Sequence, residues 1–335
     1  MLADLSAHLE ATPRQIAASA AAAEEGRYDG FGVPETRHDV FTGLALAAAA
    51  TDRICLQSEI AVAFARNPMS VAVLANDIQL ISGGRFRLGL GSQVKAHIER
   101  RFAMPWSRPA ARMEEFVVAI RAIWHAWATG ERLTFRGEFY QHTLMTDFFS
   151  PGPNPHGNPP VILAAVGERM TQVAGRVADG MLCHSFTTPQ YVSERTRPTL
   201  REARGSLDGF TLGLPALIIL GADEKERADA EAAVRAQIAF YGSTPAYRPV
   251  LELHGWEDLN DRLNTLSRRQ AWSEMADAID DEVLDAFAVA GTAGEVAHAL
   301  HSRFGGLVDR VSLYTPYDAD PAQLAVTARA LRSIC

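Results

Sequence analysis

The sequence predicts an α/β protein whose parallel sheet closes into a (β/α)8 TIM barrel with insertions after strands. Short apolar segments typical of strands alternate with amphipathic helical segments along the chain, and about eight strands can be counted. A length of 335 residues is normal for one such barrel. An open doubly wound sheet is the alternative. We disfavour it because no G-x-G-x-x-G motif follows the first strand.

The elements are expected in a regular order. Strands are predicted at MLADL, YDGFGVP, RICLQSEIAVA, RFRLGLG, VILAAVG, GMLCHSF, FTLGLPALIIL and DRVSLYTPY. Helices are predicted near 13–26, 38–51, 68–82, 109–129, 168–178, 188–204, 223–240 and 294–304, with a last helix after the final strand. The segment LTFRGEFYQHTLM is predicted to form a hairpin outside this alternation.

The stretch LISGGRFRLGLGS contains four glycines but does not have the order of a dinucleotide-binding turn. Its glycine pair precedes the strand, whereas a phosphate-binding turn follows one. We expect Asn67 and Pro68 to begin the preceding helix and the glycine pair at 83 and 84 to end it in left-handed geometry. Gly89 and Gly91 then mark a strand end that another group approaches closely.

The helix predicted after Pro109 has one continuous apolar face. Its members recur at helical spacing and are Met113, Phe116, Val117, Ile120, Ile123, Trp124 and Trp127. We predict that this face is buried in the core and has no cofactor role.

The chain is predicted to be a single domain over 1–335, with insertions near 130–160 and 241–290. Insertions after barrel strands form lids or walls of a pocket; a dimer contact or simple decoration is equally compatible with the sequence. Their aromatic residues indicate an apolar or ring-bearing ligand, although core packing explains them equally well. These residues are Phe135, Phe139, Tyr140, Tyr241, Tyr247 and Trp256.

Composition excludes several classes of function. A formal charge of -8 without a basic cluster argues against nucleic acid as a partner. No apolar segment is long enough for a signal peptide or a membrane span, so we expect a cytoplasmic protein with no membrane partner. The three cysteines, Cys55, Cys183 and Cys335, are expected to be reduced.

Local catalytic motifs are absent from the sequence. It lacks HExxH, CxxC, GxSxG and P-loop patterns, which removes support for metalloprotease, dithiol, serine hydrolase and NTPase chemistry. His298 and His301 are three residues apart on a late helix, but a solvated helix face explains them better than a metal site. We therefore predict no metal.

Polar and small residues cluster where the predicted strands end, which in a barrel is the mouth that holds the site. Such a mouth, rich in backbone donors, suits a large, partly apolar ligand that carries phosphate. Gly167 opens a helix and offers free N–H groups to that phosphate. The mouth residues are Glu35, Thr36, Arg37, His38, Ser58, Glu59, Ile60, Gly91, Ser92, Gln93, Ala165, Val166, Gly167, His184 and Ser185.

Three segments together resemble the luciferase-like monooxygenase superfamily, in particular its branch that uses the deazaflavin coenzyme F420. They are YDGFGVPE, EIAVAFARNPMSVAVLANDIQLISGGRFRLGLGS and PPVILAAVGERMTQVAGRVADGMLCHS. The resemblance implies an F420-dependent oxidoreductase that transfers a hydride between the deazaflavin and a small organic substrate. The alternative is an FMN-dependent monooxygenase that uses oxygen and receives reduced flavin from a separate reductase. A third hypothesis is a barrel that binds a ligand without chemistry. Relatives are commonly homodimers.

The resemblance also implies where the cofactor lies. A non-proline cis peptide is expected at Ser58-Glu59 or Glu59-Ile60, behind the cofactor ring. Gly91, Ser92 and Gln93 would line the cofactor, and backbone groups of Ala165, Val166, Gly167 and Glu168 would bind its phosphate. We add His184 to this cofactor-binding set because of its position at the mouth.

The sequence departs from the family at its proton-transferring positions. Glu35-Thr36 stands where several F420 enzymes have an Asp-His pair, Gln93 replaces a glutamate, and Thr187 lies near the position of a lysine found in members that oxidise sugar phosphates. We expect His38 to carry the proton, since imidazole titrates near neutrality, with Glu35 as its orienter or as an alternative acid. The substrate and the direction of hydride transfer stay open.

Overall fold

The computed structural model describes residues 1–334 and contains a closed parallel barrel. Its strands, in chain order β1 to β8, are Leu2–Ser6, Gly30–Val33, Cys55–Ser58, Phe86–Gly91, Val161–Ala165, Gly180–Cys183, Thr211–Ile219 and Arg310–Tyr314. Each pairs in parallel with its neighbours, and β1 pairs with both β2 and β8, which closes the ring. The predicted fold class is confirmed.

Helices surround this barrel. They span Pro13–Glu25, Val40–Ala49, Pro68–Ile81, Lys95–Arg100, Pro109–Thr129, Glu168–Val177, Pro189–Tyr191, Arg197–Arg204, Glu224–Gly242, Arg248–Glu252, Glu257–Arg268, Trp272–Ala276, Asp281–Phe287, Ala293–Phe304 and Pro321–Ser333. Short strands at Ala61–Val62 and Ala288–Ala290 extend the sheet beside β4 and β7. No helix within residues 1–334 is long and apolar enough to cross a membrane.

Local sequence signals explain the helix Pro68–Ile81. The Asn67 side chain accepts a hydrogen bond of 3.0 Å from the Ser70 N–H, and Pro68 occupies the first turn. After Ser82, Gly83 and Gly84 have φ angles of 64° and 92°. Only glycine adopts these angles without strain, so the pair ends the helix as predicted.

The helix Pro109–Thr129 buries its predicted apolar face completely. Met113, Phe116, Val117, Ile120, Ile123, Trp124 and Trp127 are all at most 4 % exposed. Trp124 also donates its indole N–H to the Ala72 carbonyl on the neighbouring helix. The face therefore belongs to the core.

The segment 130–160 lies in a different part of the barrel from the one expected of an insertion. It follows the helix Pro109–Thr129 and precedes β5, so it connects a helix to a strand, whereas loops at the mouth connect strands to helices. Its hairpin of Phe135–Arg136 and Gln141–His142 packs on the outer helical layer. There Glu115 accepts three backbone N–H groups, from Glu138, Phe139 and Tyr140.

The second insertion lies at the carboxyl end of β7 and begins earlier than residue 241. The helix Glu224–Gly242 is part of it, because it shares an apolar cluster with the short helices that follow. This cluster is separate from the main barrel core and includes Phe186, Leu217, Val234, Ile238, Leu251, Leu263, Met275 and Phe287. The insertion is thus a small helical unit that packs against Phe186 and Leu217 of the barrel through this cluster, beside the mouth.

Two of the three cysteines can be described. Cys183 is buried and Cys55 is partly buried, and both are free thiols. Cys335 lies outside the described residues.

Candidate functional site

The carboxyl ends of β2, β3, β4 and β5 lie side by side along one arc of the barrel mouth. Val33 pairs with Ser58, Val62 with Gly91, and Leu90 with Leu163. The loops that begin near 34, 59, 92 and 166 therefore leave the barrel as neighbours. We call this part of the mouth the β2–β5 arc.

Close packing between β3 and β4 explains two glycines of the arc. The Ser58 hydroxyl donates to the Gly89 carbonyl over 2.7 Å and accepts from the Gly89 N–H over 2.8 Å. A Cβ at Gly89 would lie 1.8 Å from the Ser58 carbonyl oxygen, and one at Gly91 would lie 2.5 Å from Ile60. The group that approaches these glycines is thus the protein's own chain, at the bond Glu59-Ile60, which is cis.

Glu59 points its side chain into the barrel, below the arc. Its carboxylate accepts a hydrogen bond of 2.5 Å from the Ser6 hydroxyl and lies 3.4 Å from the Gln57 amide. Burial raises the pKa of Glu59 to about 7. The hydrogen bond from Ser6 opposes this shift, because it favours the ionised form. The structure thus directs the Glu59 carboxylate away from the mouth surface, where a cofactor-binding residue was expected.

The barrel interior around Glu59 is polar. Arg310 on β8 donates two hydrogen bonds, of 2.5 and 2.7 Å, to Asp4 on β1. Burial raises the pKa of Asp4, and the charge of Arg310 lowers it in part. Together with Glu59 and Arg87, this pair lines a cavity of about 10 Å³, which is about the room that one water molecule needs.

Glycines on β2 make space for these charged groups. A Cβ at Gly30 would lie 2.5 Å from the Asp4 carboxylate, and one at Gly32 would lie 2.1 Å from the Glu59 carboxylate. The inward positions of β2 are therefore empty so that two acidic side chains can fit inside the barrel.

Glu35 and His38 are close in sequence but do not share a hydrogen bond. Both carboxylate oxygens of Glu35 accept from Arg66, over 2.6 and 2.7 Å, and one also accepts from the Val62 N–H. Arg66 in turn binds Asp39, the N-cap of the next helix. Glu35 is therefore held in a partly buried ion-pair network, while His38 is exposed at the rim.

The turn after β4 is stabilised by its own side chains. Gln93 has a φ of 59°, and its side-chain oxygen accepts from the Val94 N–H over 2.9 Å. Ser92 donates to the Gln93 carbonyl over 3.0 Å. The turn is preformed, and Gln93 is one of its structural parts.

The helix Glu168–Val177 begins at the arc without a side-chain cap. Gly167 has a φ of 75°, and nothing lies within 4 Å of the position where its Cβ would be. Ala165 is buried, and Val166 is 38 % exposed. First-turn N–H groups without a capping side chain, next to open space, are suited to bind an anion.

His184 lies on the other side of the mouth, after β6, and contacts the second insertion. Its Nδ1 accepts from the Phe186 N–H and its Nε2 lies 3.0 Å from the Tyr247 hydroxyl. Tyr247 stacks on the imidazole with ring centroids 4.5 Å apart, and Tyr241 packs edge-on against it. Burial lowers the pKa of His184 to about 4, so the ring is neutral.

Several residues of this region were not found from the sequence. Tyr314 at the end of β8 lies 3.3 Å from Tyr241, hydroxyl to hydroxyl, and Arg66 holds Glu35. Alternation along β8 could have indicated Tyr314, since Arg310, Ser312 and Tyr314 occupy every second position. Nothing local indicates Arg66 as the partner of Glu35. His298 bonds to the Gly294 carbonyl of its own helix, and no metal-ligand cluster occurs among residues 1–334.

A closed parallel barrel with its polar and glycine-rich loops at the carboxyl end defines a class of barrel enzymes. Within that class, the chain belongs to the luciferase-like monooxygenase family, whose model matches residues 2–310. The members of this family are oxidoreductases and monooxygenases.

Individual relatives cover most of the chain. An uncharacterised protein of Mycobacterium tuberculosis is 50 % identical over 306 residues, covering 89 % of this chain and 90 % of that protein. The 5,10-methylenetetrahydromethanopterin reductase of Archaeoglobus fulgidus is 27 % identical, covering 84 % and 83 %. The structure of the coenzyme F420-dependent tetrahydromethanopterin reductase of Methanopyrus kandleri superposes with a TM-score of 0.81 at 18 % identity, covering 99 % of both chains.

Proposed function

We propose that this protein is an F420-dependent oxidoreductase that transfers a hydride between the deazaflavin and a small organic substrate. The observation that carries the proposal is the β2–β5 arc, which ends at the uncapped helix start behind Gly167. The likeness to F420-dependent reductases supports the choice of cofactor. Bound deazaflavin supplies a hydride-carrying carbon, and the chain must hold and orient it.

The residues of the arc fit such a cofactor. The backbone at Ala165, Val166, Gly167 and Glu168 would hold its phosphate, because the helix start offers N–H donors and positive potential. The preformed turn Gly91, Ser92 and Gln93 and the backbone of Ser58, Glu59 and Ile60 would line its ring. Because these parts are held by hydrogen bonds within the protein, they need little reorganisation on binding.

His38 is proposed to carry the proton that accompanies the hydride. It is exposed at the rim, so it can exchange protons with solvent. Glu35 is better suited to position the loop than to act as an acid, since Arg66 occupies its carboxylate. We expect His38→Ala to lower the turnover rate of reduced F420 while leaving F420 affinity unchanged.

A flavin-dependent monooxygenase is the second candidate, because the matching family is described as luciferase-like monooxygenases. Such an enzyme would bind FMN, use oxygen and depend on a separate reductase. Deazaflavin reacts poorly with oxygen because it has carbon at position 5, so the two candidates require different ligands.

Titration of the purified protein with F420 and with FMN, followed by the fluorescence of each, separates the two candidates. We expect saturable binding of F420 that is at least tenfold tighter than that of FMN, a difference of about 1.4 kcal/mol. Tight FMN binding without F420 binding would support the monooxygenase instead. Binding of either cofactor without turnover of any acceptor would support a barrel that has lost its chemistry.

A further inference from the structure

The side of the mouth across from the β2–β5 arc is lined by aromatic side chains. Here His184 follows β6 and Tyr314 ends β8, and the second insertion places Tyr247 and Tyr241 against them. Leu182 and Ser312, two residues earlier on the same strands, line the cavity inside the barrel. Since side chains alternate along a strand, His184 and Tyr314 continue the inward rows into the mouth.

The hydrogen bonds around His184 have one possible direction. Nδ1 accepts the Phe186 N–H over 3.0 Å, so it carries a lone pair and no proton. The proton of the neutral imidazole is therefore on Nε2, and this N–H donates to the Tyr247 hydroxyl oxygen. The proton of the Tyr247 hydroxyl must then point to another acceptor.

No such acceptor lies within hydrogen-bond distance of the Tyr247 hydroxyl in the part of the chain from 1 to 334. Burial lowers the pKa of His184 to about 4 and raises the pKa of Tyr247 to about 12, so both groups are uncharged at neutral pH. We call this chain of two hydrogen bonds, from Phe186 through His184 to Tyr247, the relay. It holds the neutral Tyr247 hydroxyl in place beside the mouth, where its O–H is available as a donor. A partly buried donor of this kind favours a ligand that accepts its hydrogen bond.

We propose that Tyr247 donates this hydrogen bond to the carbonyl oxygen of the substrate, with His184 as its positioning residue. The proposal rests on the proposed function and specifies the substrate class as carbonyl compounds and the corresponding alcohols. When a hydride from the reduced cofactor adds to the carbonyl carbon, the C–O π bond breaks and its electron pair stays on oxygen. The Tyr247 hydrogen bond stabilises the negative charge on that oxygen, and the proton that His38 takes from solvent converts it to the alcohol; the carbonyl is reduced and the cofactor oxidised.

Binding can be tested without turnover. A panel of ketones, aldehydes and enones, each paired with the methylene analogue of the same shape, is titrated by ligand-observed NMR into the protein, with and without oxidised F420. We expect Tyr247→Phe to weaken binding of the carbonyl compounds about three- to tenfold and to leave the methylene analogues unchanged. Tyr28→Phe is the matched control, since the Tyr28 hydroxyl has no hydrogen-bond partner within residues 1–334 and lies just before β2, at the other end of the barrel.

The relay itself is tested at His184. His184→Gln can accept from Phe186 and donate to Tyr247, so it should keep the preference for carbonyl compounds, whereas His184→Leu should lose it like Tyr247→Phe. Nitrogen-15 NMR of the wild type should show a protonated Nε2 and a bare Nδ1. Melting temperatures of all variants report whether each one is folded.

Clear outcomes overturn the proposal. It is wrong if Nδ1 is protonated, if no carbonyl compound binds, or if Tyr247→Phe weakens both members of each pair equally. These results are independent of the cofactor titration: a protein that binds neither F420 nor FMN but prefers carbonyl compounds refutes the proposed function alone. A protein that binds F420 with no role for Tyr247 refutes only this inference.

Discussion

The Glu59 carboxyl group accepts a hydrogen bond of 2.5 Å from the Ser6 hydroxyl and longer ones from Gln57 and Ser312, and burial raises its pKa from 4.5 to about 7. The folded protein therefore binds this proton more tightly than the unfolded chain does. Between pH 4.5 and 7 the unfolded state loses the proton first, so stability falls as pH rises and is constant above about 7. We predict that this group makes the wild type about 2 to 3 kcal/mol less stable at pH 8 than at pH 5, relative to Glu59→Gln.

Urea denaturation of the two proteins at both pH values measures this difference. Glu274→Gln, at an exposed position, is the control and should follow the wild type at both. A parallel pH dependence of the wild type and Glu59→Gln would show that the Glu59 proton does not contribute.

Gly167 offers a matched test of the proposed phosphate site. Gly167 and Gly157 have φ angles of 75° and 74°, and neither has an atom within 4 Å of a built Cβ. Alanine at either position strains the backbone and should cost about 1 kcal/mol or more of stability. Only Gly167→Ala should also weaken F420 binding, by about tenfold or more, because its methyl group occupies space beside the helix start. Equal F420 affinity of the two variants, measured by fluorescence, would argue against a phosphate at this helix.

At the scale of elements, the inward positions of β2 are glycines, and the space that their missing side chains leave is occupied by Asp4 and Glu59. The sequence of this strand, GFGV, directs Phe31 and Val33 outward into the helical layer, and the glycines inward. We predict that Gly32→Ala destabilises the protein by about 1 to 3 kcal/mol, because the new methyl group overlaps the Glu59 carboxylate.

A double-mutant cycle of Gly32 and Glu59 shows whether the loss of stability comes from overlap with the Glu59 carboxylate or from the backbone at Gly32. In a Glu59→Ala background the overlap is gone, so Gly32→Ala should cost less than half as much in the free energy of unfolding. The same cost in both backgrounds would attribute it to the glycine backbone and not to the carboxylate.

Elements determined by neighbouring residues were predictable from the sequence, and contacts between distant residues were not. Asn67, Pro68 and Gly83 delimit a helix through bonds within one turn, and the apolar face after Pro109 follows from helical periodicity. The contact of the Glu59 carboxylate with the Ser6 hydroxyl joins residues 53 positions apart, so the inward direction of Glu59 is a contact of the second kind.

The location of the segment 130–160 was missed for a related reason. Length and aromatic content indicate an insertion but not whether it precedes or follows a strand. Likewise, the strand β6 places His184 at the mouth, but its partner Tyr247 is 63 residues away, in the second insertion. Pairings of that kind require the complete fold.

At the scale of the whole molecule, Asp4 and Arg310 join the first and last strands across 306 residues of sequence. The pair is buried, so removing one partner leaves a charge inside the barrel. We predict that Asp4→Asn lowers the free energy of unfolding by about 3 to 5 kcal/mol, and that Asp4→Leu combined with Arg310→Met loses less. Glu114→Gln, which breaks a more exposed ion pair with Arg176, should cost less than about 1 kcal/mol. Chemical denaturation measures all three, and a double variant worse than Asp4→Asn would contradict the argument.

The separate apolar cluster of the second insertion has a consequence for how such barrels diversify. The helices of this segment pack on one another and on Leu217 and Ile219 of β7, so a graft that carries these two contact residues can be exchanged between homologues without disturbing the main barrel core. A chimaera that grafts this unit onto a related barrel should acquire the ligand preference of the donor and retain the cofactor of the recipient.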